Sequence, residues 1–414
     1  MASPPVLHIL DKANYSKHRL VTLPSDHLPL LAPSSLRLQT KILGLTTNNF
    51  AYAQLGHVLG WWDTYPQPTN TPAPYNDRAT YGRISAWGYA EIIESTVPGI
   101  AVGKTVYGFL PIATLPEDVT VEKTGLKNQI RVTNPHRQHL WIIYNRYQIC
   151  PPLDELERTK TLDFLGWDSL MQGLFATSYN MNCYGFAWTD ENRIHPGGEG
   201  EWTAADANLA DATVIVLSAS GKTGVSFAHQ LRHNRPKQHQ PRAVIGVCSI
   251  TSKSLVENTG FYDKVVLYTD DKSTKEEIAK QTPHRTVIVD FGAREGAGAA
   301  WNNTFKGLSA PNTYALVGVG GVTKPQNPED SSAFLAKFDG VAFVNASKLR
   351  EKGIALAADK YFEEFYARYD EFKAAGGVPG VQLKWGEGLK AWEQGWEALC
   401  QDQVSANTGL VYRI

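Results

Sequence analysis

The sequence predicts an α/β protein built on a doubly wound parallel sheet, with a β-rich region before it and a strand-like end after it. Three observations carry this. From residue 212 onward, short apolar runs alternate with helical segments, the pattern of parallel strands buried on both faces. Residues 36–115 hold short strand-like runs broken by Gly and Pro. The tail, 376–414, closes on the strand-like TGLVYRI.

The elements follow in order. LRLQTKILGLT (36–46), RISAWGYAEIIEST (83–96) and KTVYGFLPIA (104–113) read as strands. Residues 61–80 are loop-like, dense in Pro, Thr, Asn and aromatics. A helix is expected over 157–182, and 185–208 is a polar, Gly-containing insertion. TVIVLSA (213–219) leads into a helix through 232, RAVIGVCS (242–249) into one near 252–259, and KVVLYT (264–269) into one at 274–280. RTVIVDFG (285–292) precedes a short helical stretch, and TYALVGVGG (313–321) and VAFVNAS (341–347) complete the series. One long amphipathic helix is expected at 354–374.

Composition narrows the function classes. The 414 residues suffice for two or three domains. They are 43% hydrophobic and 20% charged with a formal net charge of −1, as in a soluble globular protein. No basic run interleaves with aromatics, which argues against a nucleic-acid partner. No apolar run has membrane-spanning length, and the N-terminus MASPPVLHILDKANYSKHRL lacks signal-peptide features, so a cytoplasmic protein is expected. Cys150, Cys183, Cys248 and Cys400 are scattered, which suggests free thiols and neither a zinc site nor a disulfide framework.

The chemistry-bearing motif is VIVLSASGKTGVSFAHQL (214–231). Gly221-Lys222-Thr223 could end a Walker A loop, but that loop needs a glycine where this chain has Val216 in the strand. The same residues form an A-x-G-x-x-G variant of the dinucleotide fingerprint, Ala219 to Gly224, between a strand and a helix. In that pattern Gly221 admits a pyrophosphate to the backbone and Gly224 lets the helix pack on the sheet. Ser220, Lys222, Thr223 and the helix N-terminus then face the phosphates. The alternative is a tight strand–helix turn with no ligand.

The next strand end, GVCSITSKS (246–254), has no acid to hold a ribose diol; it offers Ser249, Thr251, Ser252 and Lys253. Hydroxyls and a cation suit a 2′-phosphate, so NADP(H) is the expected cofactor. The alternatives are a solvated lysine at a helix start for Lys253 and a simple N-cap for Thr251 or Ser252. Gly318 and Gly320 end a later strand at the carboxyl edge, where backbone can approach a nicotinamide or simply turn.

In order along the chain, GLTTNNFAYAQLG, WGYAEIIESTVPGIAVGKTVYGF, FATSY, SASGKTG, VIVDFG and ALVGVGG resemble the medium-chain dehydrogenase/reductase superfamily. The resemblance covers about 36–414. It is nearest to the zinc-free quinone-oxidoreductase and enoyl-reductase branch, in a poorly characterised offshoot whose fingerprint is a Ser/Ala-rich loop ending in Lys-Thr. It implies a Rossmann domain at 177–345 and a β-rich, partly barrel-like catalytic domain made of 1–176 and a returning part, 346–414. Zinc-dependent members carry Cys and Gly-His-Glu where this chain has Thr47-Asn48-Asn49 and Gly88-Tyr89-Ala90-Glu91, and His57, His136, His139 and His195 lie in no ligand-like spacing. No metal is expected.

The resemblance further implies that Tyr52 lines the nicotinamide pocket, as general acid or oxyanion donor, with a packed tyrosine as the alternative. Asn48 and Asn49 are expected to hydrogen-bond the nicotinamide ribose or the substrate carbonyl, Asn48 as a cofactor contact and Asn49 as a catalytic residue, against turn-forming roles for both. Thr177 and Ser178 match a cofactor-contacting position, against plain helix hydroxyls. Trp61, Trp62, Tyr65, Trp87, Tyr89, Tyr107 and Phe109 are expected to gather as a wide aromatic pocket for a planar or polyketide-like substrate, against core packing. His195 and Glu199, in the insertion, read as solvated surface residues.

Three functions are open on these residues. The first is NADPH-dependent reduction of an activated alkene, enone or quinone. The second is a same-fold lyase, cyclase or isomerase of specialised metabolism. The third is a non-catalytic NADP(H)-binding protein. The expected partner is a small-molecule substrate, and the expected assembly a homodimer.

Overall fold

A computed structural model of the chain describes residues 3–25, 28–270, 272–281, 285–293, 296–308, 313–321 and 341–414. The described residues fall into two compact units, 3–170 with 382–414, and 171–321 with 341–381.

The first unit is β-rich. A hairpin of β1 (Val6–Asp11) and β2 (His18–Thr22) pairs with β4 (Tyr81–Gly82) in a three-stranded sheet. The larger sheet runs through β3 (Ser35–Leu45), β5 (Ser85–Ser95), β6 (Lys104–Pro111), β9 (Arg146–Pro152), β8 (Gln129–Val132) and β7 (Glu117–Lys123). β7 then pairs back onto β3, Ser35 opposite Thr120, and the six strands close as a barrel. Closure removes the edges an open sheet would leave unpaired. The returning chain adds β16 (Gln382–Glu387) and β17 (Thr408–Arg413), the latter antiparallel to the far half of β3.

Eleven-residue β3 thus serves both barrel and extension, and a register shift between Thr40 and Ile42 bends it between the two roles. Gly88 of β5 sits opposite this shift, where a Cβ would lie 1.9 Å from the Ile42 carbonyl oxygen. At the hairpin, the Trp392 indole N–H donates to His8 Nδ1 (3.3 Å), His8 Nε2 lies 3.1 Å from His18 Nδ1, and His18 Nε2 lies 2.9 Å from Glu397. This polar chain ties the start of the sequence to the helix Gly388–Cys400.

The second unit is a six-stranded, all-parallel sheet: β10 (Ala212–Leu217), β11 (Ala243–Cys248), β12 (Lys264–Leu267), β13 (Arg285–Asp290), β14 (Tyr314–Gly318) and β15 (Ala342–Phe343). Its order is β12-β11-β10-β13-β14-β15. Numbered by sequence, that is 3-2-1-4-5-6, the doubly wound order whose direction reverses between the first and fourth strands. All six residues of β10 are buried, as expected of a central strand covered on both faces.

The α/β class, the doubly wound sheet and the barrel-like β region therefore agree with the sequence. Two helices differ. The stretch expected as one helix at 354–374 is two, Ala346–Ala357 and Asp359–Ala374, because Ala358 takes φ +48° and breaks the hydrogen-bond ladder. The helix expected at 157–182 is Leu162–Asn180, with Leu153–Thr159 cut off by extended Lys160. All four cysteines are free. Among the described residues, no helix is long and apolar enough to cross a membrane.

Candidate functional site

The site begins where β10 ends. Ser218 takes φ +59°, a left-handed conformation that costs a residue with a side chain about 1 kcal/mol, and the chain turns sharply there. Two tyrosines from around β12 hold the turn. The Ser218 N–H donates to the Tyr268 hydroxyl (2.6 Å), and the Tyr262 hydroxyl donates to the Ala219 carbonyl (2.9 Å). The Ala219 N–H reaches the Val247 carbonyl, and the Gly221 N–H returns to the Ser218 carbonyl.

Gly221 then caps the helix Lys222–His233 with no side-chain cap bond, so the first-turn N–H groups of Lys222, Thr223 and Gly224 point out of the helix start with no acceptor among the described residues. These donors and the positive end of the helix dipole form an anion cradle. Gly221 itself has φ −65°, but a Cβ there would lie 3.0 Å from the Ser218 carbonyl oxygen. Gly224 is buried, and a Cβ would meet the same oxygen at 2.9 Å, so its role is close helix–sheet packing.

At the end of β11 the Ser249 hydroxyl lies 2.9 Å from that of Thr251 and 3.0 Å from that of Ser252. Ser252 starts the helix Lys253–Asn258, yet its hydroxyl turns back to Ser249 and does not cap it. Ser249 and Thr251 are exposed, so this is a surface hydroxyl cluster with one neighbouring cation. That cation, Lys253, forms an i,i+4 ion pair with Glu257. At the end of β13, Asp290 Oδ1 accepts the N–H groups of Gly292 and Ala293, and burial raises its carboxyl pKa. Gly318 is in register with Asp290, and a Cβ on Gly320 would lie 3.2 Å from the Phe291 carbonyl oxygen. The Thr177 hydroxyl bonds to the Gly173 carbonyl one turn back. Ser178, fully buried, donates to the Thr223 carbonyl (2.9 Å) and thereby fastens the helix Lys222–His233. Sequence reasoning passed over Ser218, Tyr262 and Tyr268. The tyrosines act over about fifty residues, and only their position at a strand end on the carboxyl edge could have flagged them.

The cradle of free N–H groups, the glycine at its mouth and the acid-free hydroxyl cluster at the next strand end fit a dinucleotide carrying a 2′-phosphate. A diol-binding acid has no counterpart at the end of β11.

In the first unit, the helix Asn48–Gln54 follows β3. Asn49 is 3% exposed; its oxygen accepts the Thr46 N–H (2.9 Å) and its amide nitrogen donates to the Ser85 carbonyl (3.3 Å). Both ends of the side chain thus pin the turn. One helical turn after Asn48, Tyr52 is also 3% exposed. Its hydroxyl accepts from the Trp87 indole (2.9 Å) and contacts half-buried Asn48 (2.6 Å). Burial raises its pKa and the neutral donors around it partly oppose the shift, so the hydroxyl stays protonated.

Five of the seven aromatics are joined by ring contacts, since Tyr107 stacks on Trp87 (5.9 Å) and meets Tyr89 (5.4 Å). Tyr52, Trp61, Trp87 and Phe109 pack with Tyr144, with Tyr52 centroids 4.9 Å from Trp61 and 4.8 Å from Phe109. Tyr89 and Tyr107 both donate to Asp168, at 2.6 Å to the carboxylate and 3.0 Å to the carbonyl. Tyr65 bonds to Tyr147 beside buried Arg137, and Trp62 lies under Lys12. Rings that fill one another's space are core packing, the bland alternative for most of the set.

His195 stacks edge-on with Trp202 and its Nδ1 accepts the Gly197 N–H, while Glu199 reaches Lys348 (3.4 Å). Among the described residues no group of three or more His, Cys, Asp and Glu is placed to hold a metal.

A six-strand barrel with a returning extension, together with a 3-2-1-4-5-6 sheet, is a fold this chain shares with solved enoyl reductases, among them CurK. The chain belongs to the family of proteins of unknown function DUF2855, whose model matches residues 43–405. No curated protein matches it by sequence. Solved structures share the fold end to end at low identity. The Etr1p/NADP/crotonyl-CoA complex has a TM-score of 0.57 at 10% identity, covering 100% of both chains. CurA from Vibrio vulnificus in complex with NADPH has 0.53 at 12%, covering 100% of this chain and 99% of that one. The CurF cyclopropanase of the curacin A biosynthetic pathway has 0.53 at 12%, covering 99% of each.

Proposed function

We propose that this chain is an NADPH-dependent, zinc-independent reductase of an activated alkene, enone or quinone-like small molecule, with a polyketide-type compound as the finer expectation. The anion cradle at the end of β10 in a 3-2-1-4-5-6 sheet carries this reading. The fold-sharing structures with NADP and NADPH bound support it. Ser220, Gly221, Lys222, Thr223 and Gly224 would hold the pyrophosphate, and Ser249, Thr251, Ser252 and Lys253 the 2′-phosphate. Gly318 and Gly320 would offer backbone to the nicotinamide end, with Asn48, Thr177 and Ser178 supporting the cofactor and its loop. When bound, NADPH supplies a hydride to one alkene carbon.

The chain's own residues do the rest. Tyr52 remains the favoured proton donor or oxyanion donor, because its protonated hydroxyl is held by neutral groups, whereas Tyr89 and Tyr107 are spent on Asp168. Asn49 fixes the turn that presents Tyr52. Full-length protein with NADPH and a panel of enones and quinones is expected to lose the NADPH absorbance band as saturated product forms, with and without a chelator. A chelator-sensitive rate, or no oxidation of NADPH across the panel, would contradict this.

The cyclopropanase neighbour favours a second reading, a same-fold enzyme whose product-forming step is not alkene reduction. Substrate turnover without added nucleotide would select it.

A further inference from the structure

We infer that the side-chain row Trp392, His8, His18 and Glu397 is an acid-sensitive latch, holding the N-terminal hairpin on the helix Gly388–Cys400 and releasing it when the row takes up a proton. An indole N–H can only donate, so His8 Nδ1 must accept from Trp392 (3.3 Å). The single proton of a neutral His8 ring then sits on Nε2 and points at His18 Nδ1 (3.1 Å), which must accept it. The single proton of His18 therefore sits on Nε2 and goes to Glu397 Oε2 (2.9 Å). Each donor meets one acceptor, and the bonds run one way from the indole to the carboxylate. The opposite tautomer of either ring would set two N–H groups against each other.

A second proton on either ring has no place in this row. On His8 it sets Nδ1–H against the indole N–H. On His18 it occupies Nδ1, and His8 can accept it only by moving its own proton to Nδ1, with the same result. The mismatch falls between Trp392 and His8, 0% and 1% exposed, where water does not replace the lost bond. The surroundings are close-packed. Trp396, one helical turn after Trp392, meets the two imidazoles edge-on at 5.5 and 6.4 Å, and its indole N–H donates to the Tyr15 carbonyl in the hairpin loop (3.0 Å). The same indole packs on Phe50 (5.2 Å), in the helix that carries Tyr52.

Burial, and then the neighbouring His18, push His8 well below the ordinary imidazole value of 6.5. A released hairpin therefore binds a proton that the latched one refuses. The sign follows: latching is full above pH 6.5 and weakens as pH falls below it. The other groups facing the row are engaged or neutral. The bond from His18 holds the Glu397 carboxyl low. Burial raises Cys400 to about 11 and Tyr412 to about 12. Glu393 pairs with Lys390, and Asp11 accepts the N–H groups of Ala13 and Asn14.

The test uses full-length protein, by nitrogen NMR of isotope-labelled histidine and by hydrogen exchange read with mass spectrometry. At pH 7.5 His8 and His18, assigned with His8→Gln and His18→Gln, should both show the neutral Nε2–H tautomer. Between pH 7.5 and 5.5 the opening of segments 6–22 and 388–400, corrected for the chemical exchange rate, should rise about tenfold, the gain of one proton by a released imidazole. The double variant His8→Gln/His18→Gln has no titrating ring in the row and should show no such rise. An Nδ1–H or charged ring at either position at pH 7.5 would overturn the latch. So would hairpin opening in wild type that ignores pH, or a rise that the double variant shares in full. Should the double variant not fold, the wild-type tautomers and the wild-type pH ratio decide the matter by themselves.

Discussion

Gly221→Leu is expected to weaken NADPH binding by about 100-fold, equivalent to about 2.7 kcal/mol, while the protein stays folded. The backbone at Gly221, φ −65° and ψ 140°, is ordinary for any residue, so the substitution imposes no dihedral strain. The new Cβ meets the Ser218 carbonyl oxygen at 3.0 Å, a contact that a few tenths of an ångström of movement relieves. The remaining side-chain atoms occupy the mouth of the cradle formed by the Lys222, Thr223 and Gly224 N–H groups. Calorimetry with NADPH and a thermal melt separate the effects. The melt should move by only a few degrees while binding is lost, and Gly221→Ala should lose far less. Unchanged NADPH affinity in Gly221→Leu would show that the loop is a strand–helix turn with no ligand.

Tyr52→Phe is expected to lower turnover about 100-fold, with NADPH affinity unchanged. The substitution also strands the Trp87 indole N–H and the Asn48 amide, which costs about 1–3 kcal/mol of stability. Trp87→Phe breaks the same hydrogen bond but keeps the hydroxyl. A large rate loss in Tyr52→Phe and a small one in Trp87→Phe assigns chemistry to the hydroxyl. Equal losses in both would make Tyr52 a packing residue, and lost nucleotide binding would make it an organiser of the fold around it.

Much of the second unit was legible because its strands are buried on both faces and announce themselves as apolar runs. TVIVLSA, RAVIGVCS, KVVLYT, RTVIVDFG, TYALVGVGG and VAFVNAS became β10 to β15. Their lateral order was not legible, since each run reads alike whichever neighbour it joins. The barrel was legible only in part. β7 is EDVTVEK and β8 is QIRV, polar on alternate positions, and β7 finds its partner β3 some eighty residues away. The hairpin of β1 and β2 went unread for the same reason: nothing local shows that VLHILD will pair with HRLVT.

At the candidate site, the strand–turn–helix around Gly221 and Gly224 was legible because the glycine spacing is itself the signal. The left-handed turn at Ser218 was not, because serine carries no mark of positive φ. Nor were the hydroxyl bonds of Tyr262 and Tyr268 to the loop backbone, which depend on a neighbouring strand end. The seven aromatics of the first unit show the opposite case. Their common origin in the β-rich region suggested a wide pocket, while five of them fill one another's space and Tyr65 and Trp62 lie beside Arg137 and Lys12.

Calorimetric titration of the full-length protein with NADPH and, in parallel, NADH tests the central claim most directly. The anion cradle at the end of β10 and the acid-free hydroxyl cluster at the end of β11 predict NADPH binding at about micromolar Kd, or about 8 kcal/mol, with NADH at least about tenfold weaker. Equal affinity for the two would contradict the 2′-phosphate site, and binding of neither would contradict the cofactor assignment as a whole.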